Sequence, residues 1–482
     1  MQQNHLTNGH VFVTVKHILI EIFIVQSRKV KIPAAAVKFM CGNQKEIYEK
    51  QWRREQAMKN LNVIKDELQK GMYDGRFKDI YVDEGFVSYN RERYMDALDK
   101  FKELFGEKEV GLYSAPGRSE VCGNHTDHQN GHVLAASINL DAIAVAAPAA
   151  EGKVRLKSGD SPMIEMDIYD LKKKEEEKET TESLIRGVAA GLQKMGYLIG
   201  GFEAYVTSDV LMGAGMSSSA AFESLIGTVF SGLYNEMSIS SVDIAKAGQI
   251  AENEYFGKPC GLMDQMACSV GGLIYIDFKE KENPVIEQVP CDFEKKAYSL
   301  CIVDTKGSHA DLTDDYAAIP EEMGRVAAFF EKKLLREVEP LEFFKNIGRL
   351  RESVDDRCVL RAMHFFTEQE RVKEGVDALK KDDFAGFLDV IRRSGESSVK
   401  LLQNIYSPKE PHVQNMTVAL GASEYVLKDR GVCRVHGGGF AGTIQAFVKN
   451  EAVEEYRAFI ESIFGEGACH VLKIRPYGGI EV

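Results

Sequence analysis

"DVLMGAGMSSSAAFESLIGTVFSGLYN", residues 209–235, runs from a predicted strand end through glycines and three serines into an apolar-periodic segment. Gly213 and Gly215 add no Cβ, so backbone amides there can approach an anion closely. The apolar spacing from about Ser219 onward is helical. A helix start offers unpaired N–H groups and the positive end of its dipole. The hydroxyls of Ser217, Ser218 and Ser219 add donors, and one of them can ligate Mg²⁺. Together these features predict a phosphate cradle. Neither GxxxxGK[ST] nor GxGxxG is present, so neither a P-loop nor a dinucleotide fold is implied. Alone, the stretch also fits a Gly/Ser turn closed by a serine N-cap.

Three further stretches bear on that choice. "GKPCGLMDQMACSVGG" (257–272) sets Asp264 among glycines and apolar residues, where a carboxylate is either a structural hydrogen-bonder or a reactive group. Glu252, in "IAENEYFG" near the end of a predicted helix, could supply an oxygen to Mg²⁺. "VHGGGFAGTIQAFV" (435–448) is dense enough in glycine to imply close backbone approach to something. "GNHTDHQNG" (123–131) places Asn124, His125, Thr126 and Asp127 between apolar flanks, a pattern suited to presenting donors and acceptors in fixed directions to a hydroxylated ligand.

The chain has 482 residues and a net charge of -13. That charge argues against a broad nucleic-acid face while leaving local anion sites open. Nine scattered cysteines without a CxxC pair point to reduced thiols and a cytoplasmic setting. The most apolar stretch, "HVFVTVKHILIEIFIVQ" (10–26), is broken by Lys16 and Glu21 and is neither a membrane span nor a good signal peptide. The first 40 residues hold one acid and three of the eleven histidines, which reads as an upstream extension with Met40 a possible start.

Periodicity predicts helices over 46–71 and 88–107, then strands at 110–115, 132–148, 153–159 and 201–210, with the charge run 170–183 as a solvated loop or helix start. Helices near 219–235 and 242–256 precede strand-like 271–278 and 297–305. Helices at 320–338, 384–403 and 414–428 follow, and the chain ends strand–helix–strand over 442–477. Without a βαβ repeat, this mixture predicts an α+β fold with mixed sheets in two lobes. The expected division is an N-terminal extension of unknown role (1–90), one lobe over 91–310 and a second over 311–482.

"APGR…GNHTDHQNG", "GAGMSSSAA", "CGLMDQ" and "GGGFAG", in this order, resemble the motifs of the GHMP small-molecule kinases, and within them the galactokinase branch, over roughly residues 95–482. The resemblance implies a two-lobed fold with the active site between the lobes. It implies ATP-dependent phosphorylation of the anomeric hydroxyl of a monosaccharide, D-galactose first. Alternatives are an amino sugar, arabinose or a uronic acid as acceptor, or a non-catalytic sugar sensor. By position, Arg118 and Asp264 resemble the catalytic pair. Asn124, His125, Asp127 and Tyr316 resemble the sugar contacts. Gly213, Gly215, Ser217, Ser218 and Ser219 resemble the phosphate loop, and Ser219 (or Ser218) and Glu252 the Mg²⁺ ligands. ATP and Mg²⁺ are the implied cofactors. A sugar and ATP are the implied partners, without nucleic acid or membrane, in a monomer or weak dimer. Two departures stand out: the branch often reads GEHTDY where this chain has "GNHTDH", and GGGFGG where it has Ala441.

Overall fold

The strand His132–Pro148 is buried along almost its whole length. Ala142, Ala144 and Ala146 face one apolar cluster, while Ile143, Val145 and Ala147 face another. Successive side chains of a strand point to opposite faces, so a strand covered on both sides reads as a continuous apolar run. The alanines leave room for helices to pack close to the sheet, and the bulkier residues fill the opposite side.

The computed structural model describes residues 58–482 apart from 151, 212–214, 259, 281–282 and 308–311. Gly213, the predicted helical residues 46–57 and the N-terminal apolar stretch lie outside the described residues. Strand β1 (Lys59–Asn60) and helices α1 (Leu61–Gln69), α2 (Asp74–Tyr81) and α3 (Gly85–Phe105) lead into β2 (Glu109–Cys122) and β3 (His132–Pro148). Then come β4 (Lys153–Ser158), β5 (Ile164–Asp167), α4 (Thr181–Lys194), β6 (Phe202–Ser208), α5 (Ser218–Asn235) and α6 (Ser241–Ile250), which continues as a π-helical turn over Ala251–Phe256. Helix α7 (Met263–Val270), β7 (Leu273–Asp277) and β8 (Val285–Gln288) complete a sheet of order β1-β2-β3-β6-β4-β5, with β7 also on β3. Only β4 and β6 pair in parallel among its described strands.

A second sheet, of order β10-β11-β9-β12, is formed by β9 (Tyr298–Asp304), β10 (Gly431–Val435), β11 (Thr443–Lys449) and β12 (Cys469–Leu472). Between β9 and β10 lie α8 (Thr313–Phe329), α9 (Pro340–Lys345), α10 (Ile347–Ser353), α11 (Asp356–Lys380), α12 (Phe384–Ser397) with a π-helical end at Ser398–Leu402, and α13 (Asn415–Leu427). Helix α14 (Val453–Phe464) precedes β12, and β13 (Ile480–Glu481) returns to pair with β2. The α+β mixture expected from the sequence is therefore present.

Several boundaries differ from expectation. The helix expected at 320–338 runs from Thr313 to Phe329 with Pro320 inside it; proline is favoured in a first turn, which misdirected the start. Helix α11 has no sequence counterpart because its inward face carries Arg361, His364 and Glu368 among apolar residues, diluting the periodic signal. Helix α4 starts inside the charge run read as a solvated loop or helix start, but its length to Lys194 was not expected. Its Gly187 and Gly191 are poor helix formers, but a Cβ on either would meet Ala251 or Ala247 at 2.4 and 2.9 Å, so they permit close helix packing.

One buried cluster ties the N-terminal helices, the sheet and the C-terminal segment together. Asp141 on β3, fully buried, accepts from Arg93 Nη1 (2.5 Å), Tyr81 Oη (2.8 Å), Arg475 Nη1 (2.9 Å) and Ser114 Oγ. Arg475 also donates to the carbonyls of Tyr477 and Gly478, holding the approach to β13. Removing the Asp141 charge leaves buried Arg475 without a carboxylate partner among the described residues and leaves Arg93 with Asp209 alone (3.1 Å). Asp141→Asn is expected to lower unfolding free energy by about 3–5 kcal/mol, read as a reduced midpoint in urea denaturation at unchanged slope.

Candidate active site

Arg118 lies on β2, where the ladder with β3 shifts register between Pro116 and Arg118. Its side chain forks onto Asp264, with Nε–Oδ1 and Nη2–Oδ2 both 2.7 Å. Its Nη1 donates to the carbonyl of Gly215, and its backbone N–H to that of Met216 (3.1 Å). One arginine therefore holds both the acidic residue and the glycine–serine loop. Asp264, in the first turn of α7, also accepts from Ser217 Oγ. Burial alone pushes its carboxyl upward, but the adjacent Arg118 charge and the hydrogen bonds from Arg118 and Ser217 outweigh it and hold Asp264 below the usual aspartate range.

Ser217 sits at the N-cap of α5 in the left-handed region (φ 56°) and makes no capping bond, its hydroxyl being turned to Asp264. The first N–H groups of α5, which Ser218 opens, thus lack a side-chain cap and remain donors for an anion. Gly215 has φ +68°, and a Cβ there would lie 2.7 Å from Thr443 Oγ1, so the loop runs hard against the second sheet. A side chain at this position would fill the cradle.

Glu252 lies on the π-helical turn and is buried. Its Oε1 accepts from Ser219 Oγ (3.2 Å) and Lys258 Nζ (3.1 Å), and its Oε2 from Gln265 Nε2 (2.8 Å). The same amide reaches Glu223 Oε2 at 3.0 Å. Glu223 Oε1 and Gln265 Oε1 are buried without a hydrogen-bond partner. Hard oxygens from a hydroxyl and a carboxylate, beside a second buried carboxylate, suit Mg²⁺. Ser219 and Glu252, far apart in sequence, are therefore brought together as expected for a joint metal site.

On the opposite flank, His125 (φ 56°) donates from Nε2 to the carbonyl of Gly438 (2.8 Å). That fixes its Nδ1 as an acceptor, and His128 Nε2 lies 3.4 Å from it. Burial lowers the pKa of both imidazoles, so the pair is neutral at pH 7. Asp127 is half-buried against Gly261, where a Cβ would come within 2.1 Å of its Oδ2. Burial first, and then the Asp264 charge, push its carboxyl up to about 6. Tyr316 donates to the carbonyl of Gly439 (2.9 Å) and packs edge-on against Phe440.

Asn124 is placed differently from these. It is fully buried, its Nδ2 donates to Glu120 Oε1 (3.0 Å) and the Gly437 carbonyl (2.7 Å), and its Oδ1 accepts from Asn404 Nδ2 (2.8 Å) and Ser398 Oγ (3.4 Å). All its polar atoms are engaged within the protein, so it braces the 437–439 loop rather than presenting an amide to a ligand. Sequence reasoning missed its partners. Glu120 is paired with buried Arg434 (3.0 Å), and His364 Nε2 donates to the Asn124 carbonyl (2.9 Å). These contacts span hundreds of residues, and no local motif signals them. Lys258, one residue beyond the glycine that ends the π turn, was likewise not singled out.

Comparison with known proteins places this geometry. The galactokinase galactose-binding signature matches residues 99–148, which hold Arg118 and Asp127. The GHMP kinases N terminal domain matches 183–272, which hold the serine loop, Glu252 and Asp264. The chain is 32% identical over 367 residues to the galactokinase of Glaesserella parasuis serovar 5, covering 75% of this chain and 91% of that protein. It is 29% identical to the galactokinase of Lactobacillus helveticus, covering 77% and 93%. Its structure is similar to that of Lactococcus lactis galactokinase complexed with galactose, with a TM-score of 0.69, 25% identity, and 81% and 100% of the two chains covered. The fold is also that of the Methanococcus jannaschii mevalonate kinase, at a TM-score of 0.53 and 17% identity over 76% and 98% of the chains. With a relative this similar over nine-tenths of its length and both signatures falling on the residues assembled above, the chain belongs to the galactokinase family of the GHMP kinases.

Proposed function

We propose that this protein transfers the γ-phosphoryl group of ATP to the anomeric hydroxyl of D-galactose, giving galactose 1-phosphate. The observation that carries the reading is the Arg118–Asp264 fork, set between the glycine–serine loop and the polar run at 124–128. Phosphoryl transfer asks for positioning and charge stabilisation more than covalent chemistry. Arg118 supplies a permanent cation beside the reacting groups. The uncapped start of α5 and the Gly215 turn hold the phosphates, and Ser219 and Glu252 hold Mg²⁺. A bound Mg²⁺ supplies neutralisation of phosphate charge.

Asp264 is the acceptor for the anomeric proton. A carboxylate held below the usual range is too weak a base to remove a sugar proton in the ground state. One of its oxygens accepts that proton only as the sugar oxygen's bond to phosphorus forms, the bond from phosphorus to ADP breaks and the hydroxyl becomes acidic. Asp127 plays the complementary part. Its raised pKa marks a carboxylate kept from water, and one that accepts hydrogen bonds from ring hydroxyls recovers on binding part of what burial removed. His125, neutral and tied to Gly438, and Tyr316, tied to Gly439, set the walls of the sugar pocket. The sensor alternative is the weaker one, because a protein that only binds has no use for a buried arginine–aspartate fork.

Asp264→Asn should cut turnover by about 10²–10⁴-fold in coupled ADP release, with calorimetric ATP binding retained; comparable kcat in the variant would remove Asp264 from the base role. Against hexoses, pentoses, amino sugars and uronic acids, the highest kcat/KM is expected for D-galactose.

Asp127 yields a pH prediction. Its folded pKa lies above the unfolded one, so its contribution to stability is whole below about pH 4 and is lost as pH rises through about 6. Asp127→Asn, which cannot ionise, should therefore unfold at higher urea than the parent at pH 7, with the gap closing toward pH 4, while KM for the sugar rises. Equal midpoints at pH 7 would show that the carboxylate carries no such cost.

A further inference from the structure

Glu252 and Glu223 form a buried acidic pair bridged by a single amide of Gln265. Among the described residues, the one basic side chain in an ion pair with either is Lys258, whose Nζ lies 3.1 Å from Glu252 Oε1. That oxygen is also the one facing Ser219 Oγ at 3.2 Å. The lysine comes from the loop just beyond the π turn, and its side chain is 63% exposed while that of Glu252 is 4% exposed. The ammonium thus reaches a buried carboxylate from the rim, on a stem that remains in solvent.

From this geometry we infer that Lys258 is an internal counter-cation that competes with the divalent ion for Glu252. It pairs with the oxygen directed at Ser219, and it withdraws to solvent when the metal binds. The inference rests on the proposed role of Glu252 as a metal ligand. Oε1 already accepts from both Ser219 and Lys258, so a divalent ion on the Ser219 side of that oxygen is repelled by the ammonium and drives it outward. A lysine suits the task better than an arginine: it is a single point charge on a flexible chain, without the planar fork that would lock both carboxylate oxygens. Because Glu252 is nearly enclosed, its charge would otherwise stand uncompensated beside Glu223, and the ion pair removes that cost. Lys258 is in this sense a positioning residue, acting through Glu252.

The test is Mn²⁺ binding to the full-length protein without nucleotide, followed by the electron paramagnetic resonance of free Mn²⁺ up to millimolar concentration. Lys258→Met is expected to bind Mn²⁺ about three- to tenfold more tightly than the parent, the range spanned by a partly buried ion pair. Lys258→Arg, which keeps a cation but can grip both oxygens, should bind no more tightly than the parent. Added KCl should narrow the difference between parent and Lys258→Met. Glu252→Gln should lose the site. If Glu252→Gln loses Mn²⁺ while Lys258→Met binds it equally, more weakly or not at all, the counter-cation role is overturned and the metal assignment stands. If Glu252→Gln binds Mn²⁺ like the parent, the metal assignment fails and the counter-cation role with it.

Discussion

The Arg118–Asp264 pair is the constraint on which the rest of the site depends. Arg118 is buried and Asp264 is partly exposed, and an ion pair with a buried member is stabilising only when its geometry and remaining hydrogen bonds are satisfied. Here the guanidinium engages both carboxylate oxygens at 2.7 Å and uses its third nitrogen on the Gly215 carbonyl. Ser217 completes the aspartate. Because each partner stands on a different element, satisfying this one pair fixes the relative position of β2, the start of α7 and the loop before α5. The glycine–serine loop is thus set by the same contact that orients Asp264.

Close backbone approach is the second requirement, and glycine meets it at chosen points. A Cβ on Gly117 would lie 3.0 Å from the Met216 carbonyl, one on Gly261 would strike Asp127, and one on Gly438 would come within 2.6 Å of Tyr316. Three of the non-glycine residues with positive φ lie in the same region: Ser217, His125 and Phe440 all have φ near +60°. Non-glycine residues in that region cost free energy and persist only where surrounding contacts over-determine them. His125 is held by its bond to Gly438, and Phe440 by its N–H on the Asn404 carbonyl. Asn124 links the two, which explains how an asparagine at a position where the family often has glutamate stays essential to the pocket without facing into it.

What could be read from the sequence was what short motifs encode. Arg118, Asp264, the serine loop and Asp127 were legible because their chemistry needs residues within a few positions of a glycine turn or a helix start. The α+β class followed from mixed periodicities. Contacts across long separations were not legible. Glu120 meets Arg434 only because β2 and β10 are brought together by the fold, and each residue alone reads as a surface charge. Helix α11 failed for a related reason, since its buried His364 and Glu368 serve the loop at 123–124 and its buried Arg361 pairs with Glu322, so that together they break the apolar stripe that marks a helix. The two π-helical ends were invisible as well. One carries Glu252, and the other carries Ser398, which donates to buried Asn124.

Two neighbouring aspartates illustrate how the fold assigns roles to identical side chains. Asp264 gains a guanidinium and a hydroxyl and is held ionised, whereas Asp127 has burial and the Asp264 charge against it and is pushed up to about 6. The asymmetry is causal, because the negative charge that Arg118 preserves on Asp264 is one of the terms that raises Asp127. Environments that drive two carboxyls apart in this way are how one site accommodates different tasks. A carboxylate kept ionised by Arg118 and Ser217 stays a hydrogen-bond acceptor at neutral pH. A poorly solvated one is receptive to hydroxyl donors. The difference rests on placement, since Arg118 and Ser217 donate to Asp264 whereas Asp127 stands against Gly261 with the Asp264 charge nearby.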